Sequence, residues 1–409
     1  MKYIGIIYTI FFFITVCFAK EITVDPNGSV STLTGALQLA NTGDRIVVKK
    51  GIYREGEIVI DKSIEIVGED FPVFDGEGKH QILTIRANNV TIRGLTIKDC
   101  GVSFIDDKAG IKIEEGNNCR IEGNKLIGNF FGIYLSKTRG TQVINNQIQS
   151  NAQSEAASGN GVHLWYCKDI VVEDNRIEGH RDGIYFEFVE DGVIRDNEST
   201  RNLRYGLHFM FSDRCEYRNN FIHNNGAGVA VMYTKNVIMD NNRFENNWGS
   251  ASYGLLLKDI TDSQITNNRF FRNSIGIYAE NSSRIQVENN GFAENGWALK
   301  IMANCMDNVF IKNQFIGNSF DVATNSRNNF SRFEQNYWSS YKGYDLNRDG
   351  FGDVPFRPVR LFSLIVEQHP TALILLRSLF IDILDIAETI FPVLTPETLV
   401  DKKPLMRMP

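Results

Sequence analysis

The sequence predicts an all-β chain: a single-stranded, right-handed parallel β-helix with an N-terminal capping helix and a C-terminal amphipathic α-helical tail. Three observations carry that prediction. Short β-type runs opened by a glycine recur about every 22 residues, the period of a solenoid, as in Gly183-Ile184-Tyr185-Phe186, Gly206-Leu207-His208-Phe209 and Gly228-Val229-Ala230-Val231. An asparagine stands at a fixed offset before most of these glycines. The residue after the glycine is apolar, and so mostly is the one two further on, so alternate side chains of each strand fill an interior.

Composition agrees with one long repetitive body. Glycine, asparagine and isoleucine are spread over most of the 409 residues, and the formal net charge of -6 offers no basic face to a nucleic acid. Proteins, saccharides or metal ions are the expected partners.

The chain opens with Met1-Lys2, an apolar run from Tyr3 to Val16 and the small residue Ala19 before Lys20-Glu21. This reads as a secretory signal over residues 1–19. Its removal leaves Cys100, Cys119, Cys167, Cys215 and Cys305, an odd number scattered over different repeats. They read as small core residues and not as a disulfide framework.

From Ser29 to Asn41 the residues Leu33, Ala36, Leu37 and Ala40 fall on one helical face. A helix here caps the open end of the solenoid, whose first strand layer otherwise exposes its core and its hydrogen-bonding edge. Looser coils follow, with strands at Ile58 to Ile60, Ile64 to Val67, Ile82 to Ile85, Val90 to Ile92 and Leu95 to Ile97. Regular coils begin at Gly110 and continue through Gly132, Gly161, Gly183, Gly206, Gly228, Gly254, Gly276, Ala298 and Asp321. Insertions lie between Ser150 and Gly159 and near Trp248 to Ser252. Asn124, Asn175, Asn220, Asn268, Asn290 and Asn313 stand eight before the small residue, and Asn129, Asn225, Asn273, Asn295 and Asn318 stand three before it. Asparagine tolerates left-handed turns and can bond from coil to coil. The rod is expected over residues 20–338, with ten or eleven turns and a length of roughly 50 Å at the strand spacing.

Function must use side chains that the core does not need. The column two after the small residue reads Tyr134, His163, Tyr185, His208, Ala230, Leu256, Tyr278 and Lys300; the column four after it reads Ser136, Trp165, Glu187, Met210, Met232, Lys258, Glu280 and Met302. Both are expected to face solvent, and so rich a face implies a partner. Imidazole and thioether suit copper, thioether especially the cuprous state. His163, Glu187, His208, Met210, Met232 and Met302 are therefore the candidate copper ligands, with His208, Met210 and Met232 on adjacent strands. A carbohydrate-active β-helix of the pectin-lyase-like kind, a lyase, a hydrolase or a binding module, is the alternative. It needs carboxylates close together, and Glu187 and Glu280 stand four coils, about 19 Å, apart. His180-Arg181-Asp182 is the best remaining polar cluster for such chemistry, and a charged, solvated turn explains it equally well.

Residues 339–360 form an Asp-rich loop and linker. Asp345, Asn347, Asp349 and Asp353 around Gly350 resemble the start of a calcium loop, although Phe356 replaces the closing glutamate. Residues 361–409 form a helical docking tail, apolar from Leu361 to Phe391 and interrupted by Pro370, with Thr395 to Pro409 read as an extended end. Arg377, Asp382, Asp385 and Glu388 argue against a membrane span and for an amphipathic helix docked on the rod, a membrane surface or a membrane partner.

Several strings are more specific than generic coils. They are Gly159-Asn-Gly-Val-His-Leu-Trp165, Gly179-His-Arg-Asp-Gly-Ile-Tyr-Phe-Glu-Phe188, Leu203-Arg-Tyr-Gly-Leu-His-Phe-Met-Phe211, Asn225-Gly-Ala-Gly-Val-Ala-Val-Met232, Gly249-Ser-Ala-Ser-Tyr-Gly-Leu255 and Arg360-Leu-Phe-Ser-Leu-Ile-Val-Glu-Gln368. On these the chain, from about Ile22 to Arg407, resembles the NosD family of periplasmic β-helix proteins that assist copper-site assembly in nitrous oxide reductase. The resemblance implies a non-enzymatic accessory protein of the periplasm that handles copper. It also implies the ABC transporter subunits NosF and NosY, the copper chaperone NosL and the reductase as partners, with the apolar tail as the docking element. It fixes no copper ligands.

Overall fold

The computed structural model describes residues 19–103, 105–249, 251–325, 330–376, 378–391 and 399–408. The expected signal segment and Arg377 lie outside them. The described chain is a right-handed parallel β-solenoid of about 14 turns with a few C-terminal helices. Fourteen strands, from Glu21–Val24 to Arg332–Glu334, stack in one sheet. Twelve, from Ile58–Ile60 to Phe320–Ala323, form a second, and thirteen, from Ile52–Tyr53 to Tyr337–Trp338, a third. The estimate of ten or eleven turns was short because the looser N-terminal coils stack in register with the regular ones, as in the pairing of Ile46 with Ile66 and of Ile66 with Ile92. Fourteen strands make a rod of about 60 Å.

Each coil supplies one strand to each sheet, for example Glu216–Arg218, Phe221–His223 and Ala227–Met232. Like residues then stack along the axis. Phe244, Phe270, Phe292, Phe315 and Trp338 form an interior column with ring centroids 4.8, 4.8, 5.0 and 4.1 Å apart. Spacing so close to that of the strands lets each ring keep stacking contact with both neighbours.

The asparagines form a buried ladder. Asn220 N–H and Nδ2 donate to Asn242 Oδ1 at 2.9 and 3.0 Å, and Asn220 Nδ2 also donates to Ile194 O at 2.9 Å. The pattern repeats from Asn124 through Asn336, and Asn146, Asn197 and Asn242 belong to it despite their irregular offsets. Each amide satisfies turn groups that are out of reach of water. The left-handed backbone belongs to the residue before the rung, as at Asn219, Asn267 and Asn289. The two properties of asparagine are thus used at neighbouring positions.

Both ends are closed. Helix α1 (Leu33–Leu39) buries Leu33, Ala36 and Leu37 against the first coil. Its N-terminal N–H groups at Leu33 and Thr34 donate to the Glu55 carboxylate at 2.8 and 2.9 Å, and Gly35 N–H donates to Thr32 Oγ1. At the other end, residues 399–405, part of the expected extended end, pair with the last coil, Asp401 beside Phe333 and Leu405 beside Tyr337. Asp401 is fully buried and accepts from Asn336 N–H and Nδ2 at 2.9 and 3.1 Å and from Trp338 Nε1 at 3.1 Å. The final segment of residues 361–409 thus terminates the asparagine ladder.

Helix α2 (Leu361–Gln368) lies on the last strands of the second sheet. Phe362 and Val366 pack on Phe320 and Trp297, and Lys300 Nζ pairs with Glu367 at 2.7 Å. Helix α3 (Leu379–Ile390) follows α2, and Glu388 accepts the Leu361 N–H. Of α3, Ile381 is buried, while Leu379, Phe380, Ile383, Ile386 and Ile390 are exposed. No described helix is long and apolar enough to cross a membrane.

Candidate metal site

The outward columns of the second sheet are far drier than expected. Tyr134, Tyr185, His208, Leu256 and Met302 are all buried, because the rings stack on one another and on residues that precede each strand. Tyr134, His163 and Tyr185 form one such stack, with centroids 4.6 and 4.8 Å apart. The expected solvated turn His180-Arg181-Asp182 is also wrong. His180 and Asp182 are buried, His180 in the interior at an asparagine position and Asp182 under the His208 ring.

His208 and Met210 project from one strand, Tyr205–Met210. Met210 stands in register with Glu187 on one side and Met232 on the other, so these three side chains occupy successive rungs about 4.8 Å apart. Beside His208 on the next strand is only the methyl group of Ala230. The imidazole is held between Tyr185 and Tyr205, with centroids 4.9 and 4.8 Å away. The Tyr185 hydroxyl donates to Met210 Sδ at 3.6 Å, which draws that thioether toward the imidazole column.

His208 is 4% exposed, yet neither ring nitrogen makes a hydrogen bond. Nδ1 lies 3.6 Å from Asp182 Oδ2. The Asp182 carboxylate accepts from Tyr205 N–H at 3.2 Å and lies 3.6 Å from Arg181 Nη2 and 4.0 Å from Arg204 Nε. Burial opposes its charge, but His208, Arg204 and Arg181 outweigh burial and hold the carboxyl below its ordinary range. The insertion between Ser150 and Gly159 reaches this site through Glu155, which lies 3.7 Å from Arg204 Nε.

Two of the predicted residues stand apart. Met302 is three rungs beyond Met232, about 14 Å along the rod. His163 is two rungs before His208, and its Nδ1 faces Asn160 Nδ2 at 3.0 Å. Burial first, and then Arg181, push its pKa down to about 3, so the ring is neutral. Sequence reasoning singled out Asp182 only as part of a polar cluster, without its link to His208, and missed Tyr205. The signal for both was position, since each directly precedes the small residue of its coil.

The cysteines supply no soft ligand here. All five described are free and buried, and burial raises each thiol, Cys100 and Cys215 to about 12. Among the described residues no three His, Cys, Asp or Glu side chains converge on one point.

Asp345 accepts from Asp349 N–H and Gly350 N–H, and Asn347 Oδ1 also accepts from Asp349 N–H at 3.0 Å. Asp353 instead accepts from Leu346 N–H at 2.7 Å. These carboxylates close an exposed turn on its own backbone.

Residues 144–349 match the family model described as periplasmic copper-binding protein (NosD), and residues 50–159 match the right-handed β-helix region model. A Pseudomonas aeruginosa protein named probable ABC transporter binding protein NosD is 30% identical over 406 residues, covering 87% of this chain and 86% of its own. The chain belongs to the NosD family. The Stutzerimonas stutzeri NosD protein of the same description is 28% identical, covering 87% of this chain and 85% of its own. A NosD-type role follows. Among solved structures, the catalytic unit of an α-1,3-glucanase from Streptomyces thermodiastaticus has a TM-score of 0.60 at 13% identity, over 79% of this NosD-family chain and 67% of its own. The Dettilon tailspike protein has 0.57 at 14%, over 75% and 69%. Both likenesses show the solenoid fold alone.

Proposed function

We propose that this NosD-family chain is a periplasmic, non-enzymatic accessory protein that takes Cu(I) as cargo on the second sheet for assembly of the copper sites of nitrous oxide reductase. His208, Met210 and Met232 hold the ion, and Glu187 borders them. One observation carries the reading: a buried imidazole with no hydrogen-bond partner sits on the same strand as one thioether, and a second thioether stands beside the first on the next strand. Two thioethers and one imidazole favour the cuprous ion. His163 and Met302, distant along the rod, serve packing instead.

The exposed apolar face of α3 fits contact with the membrane subunit of an ABC transporter, NosY with its ATPase NosF, and NosL is the expected copper donor. Calcium at Asp345, Asn347, Asp349 and Asp353 is an auxiliary possibility of the same kind, testable by a calcium-dependent rise in melting temperature. In cells that depend on this protein, His208→Ala/Met210→Ala/Met232→Ala together should leave the reductase copper-deficient and inactive at normal levels of the variant. A fully loaded reductase in those cells would refute the ligand assignment.

A further inference from the structure

We propose that Asp182 is a positioning residue that fixes the tautomer of His208, placing the proton on Nδ1 and leaving the Nε2 lone pair free for a metal ion. This rests on the copper reading above and adds to it a reason why this imidazole, among those on the face, is the donor. Asp182 is fully buried, and its Oδ2 makes no hydrogen bond although Arg181 Nη2 and His208 Nδ1 both lie 3.6 Å away. With Arg181 Nη2 and Arg204 Nε at 3.6 and 4.0 Å and the Tyr205 N–H donating to it, this carboxylate is surrounded by donors and serves as an acceptor. The His208 nitrogen that faces it is therefore the one that carries the proton, and the opposite nitrogen is the acceptor or ligand. Tyr185 and Tyr205 flank the ring at 4.9 and 4.8 Å and prevent it from turning over.

The neighbouring histidine shows the opposite arrangement. Asn160 occupies, one coil earlier, the position that Asp182 occupies before its own small residue, and its Nδ2 faces His163 Nδ1 at 3.0 Å. In this orientation of the Asn160 amide, whose Oδ1 has no partner, Nδ2 donates to Nδ1 of His163, which places the His163 proton on Nε2. One outward column thus sorts the two imidazoles: a carboxylate makes His208 a donor to metal, and an amide keeps His163 from being one.

The test uses the full mature chain with 15N-labelled histidine. Long-range 1H–15N spectra, assigned with His208→Gln and His163→Gln, are expected to show His208 as the Nδ1–H form and His163 as the Nε2–H form. Asp182→Asn should reverse the His208 tautomer. It should also weaken Cu(I) binding, measured by competition with a chromophoric chelator, by 10- to 100-fold, the range in which partners of metal-bound histidines act. Thermal unfolding of the same variant checks that it is folded. An Nε2–H His208 in the wild-type chain overturns the proposal even where Asp182→Asn does not fold. So does a folded Asp182→Asn with wild-type affinity while His208→Ala has lost it. If the wild-type chain binds no Cu(I), or His208→Ala binds as well as wild type, the copper reading itself has failed.

Discussion

His180 occupies an interior rung where the following coil carries Asn202 and the preceding one Ser158. Its backbone N–H donates to Asn202 Oδ1 at 3.0 Å, and its Nε2 has no partner. Burial, against the Gly159 carbonyl, pushes its pKa from 6.5 down to about 4. In the unfolded chain the same ring takes up its proton near the ordinary value. Its contribution is therefore fully present above about pH 6.5 and is lost as the pH falls toward 4, by on the order of 3 kcal/mol. His180→Asn is expected to flatten this acid slope of the unfolding free energy; an unchanged slope between pH 6.5 and 4 would place the effect elsewhere. Asp401 poses a different test. Asp401→Ala strips buried donors on Asn336 and Trp338 of their acceptor and should cost roughly 3 kcal/mol, with amide exchange rising first in the last coils.

The elements differ in how plainly the sequence announced them. Helix α1 was legible because its apolar spacing is local and because an open solenoid end demands a cover. Most rungs of the asparagine ladder were legible from their fixed offset. Asn242 was not, since the insertion near Trp248 to Ser252 separates it from Gly254. The C-terminal closure was hidden because Asp401 meets residues more than sixty positions away, with no periodic signal. The outward columns were read correctly as columns and wrongly as wet, since their cover is made by side chains of adjacent coils rather than by any loop. Helix α3 remains as an element whose apolar face none of the described residues covers. Ile383→Asp with Ile390→Asp should release the protein from membranes containing its transporter without moving the melting temperature by more than a few degrees. Retention on those membranes would remove α3 as the docking element.

At the scale of the whole molecule, each coil touches mainly its two neighbours, so stability and function are both nearly local along the rod. Deleting residues 268–289, one repeat between equivalent rungs 22 residues apart, should therefore leave a cooperatively folding protein with undiminished Cu(I) affinity. Loss of binding in a folded deletion would show that the site depends on distant coils. The repeat that makes the rod also sets His208, Met210 and Met232 on adjacent strands, and whether they hold copper is the central claim. Anaerobic Cu(I) titration of the mature chain against a chromophoric chelator, beside His208→Ala/Met210→Ala/Met232→Ala, tests it most directly. The account predicts one tightly bound Cu(I) per wild-type chain and none in a triple variant of equal melting temperature; equal stoichiometry and affinity in the two would contradict it.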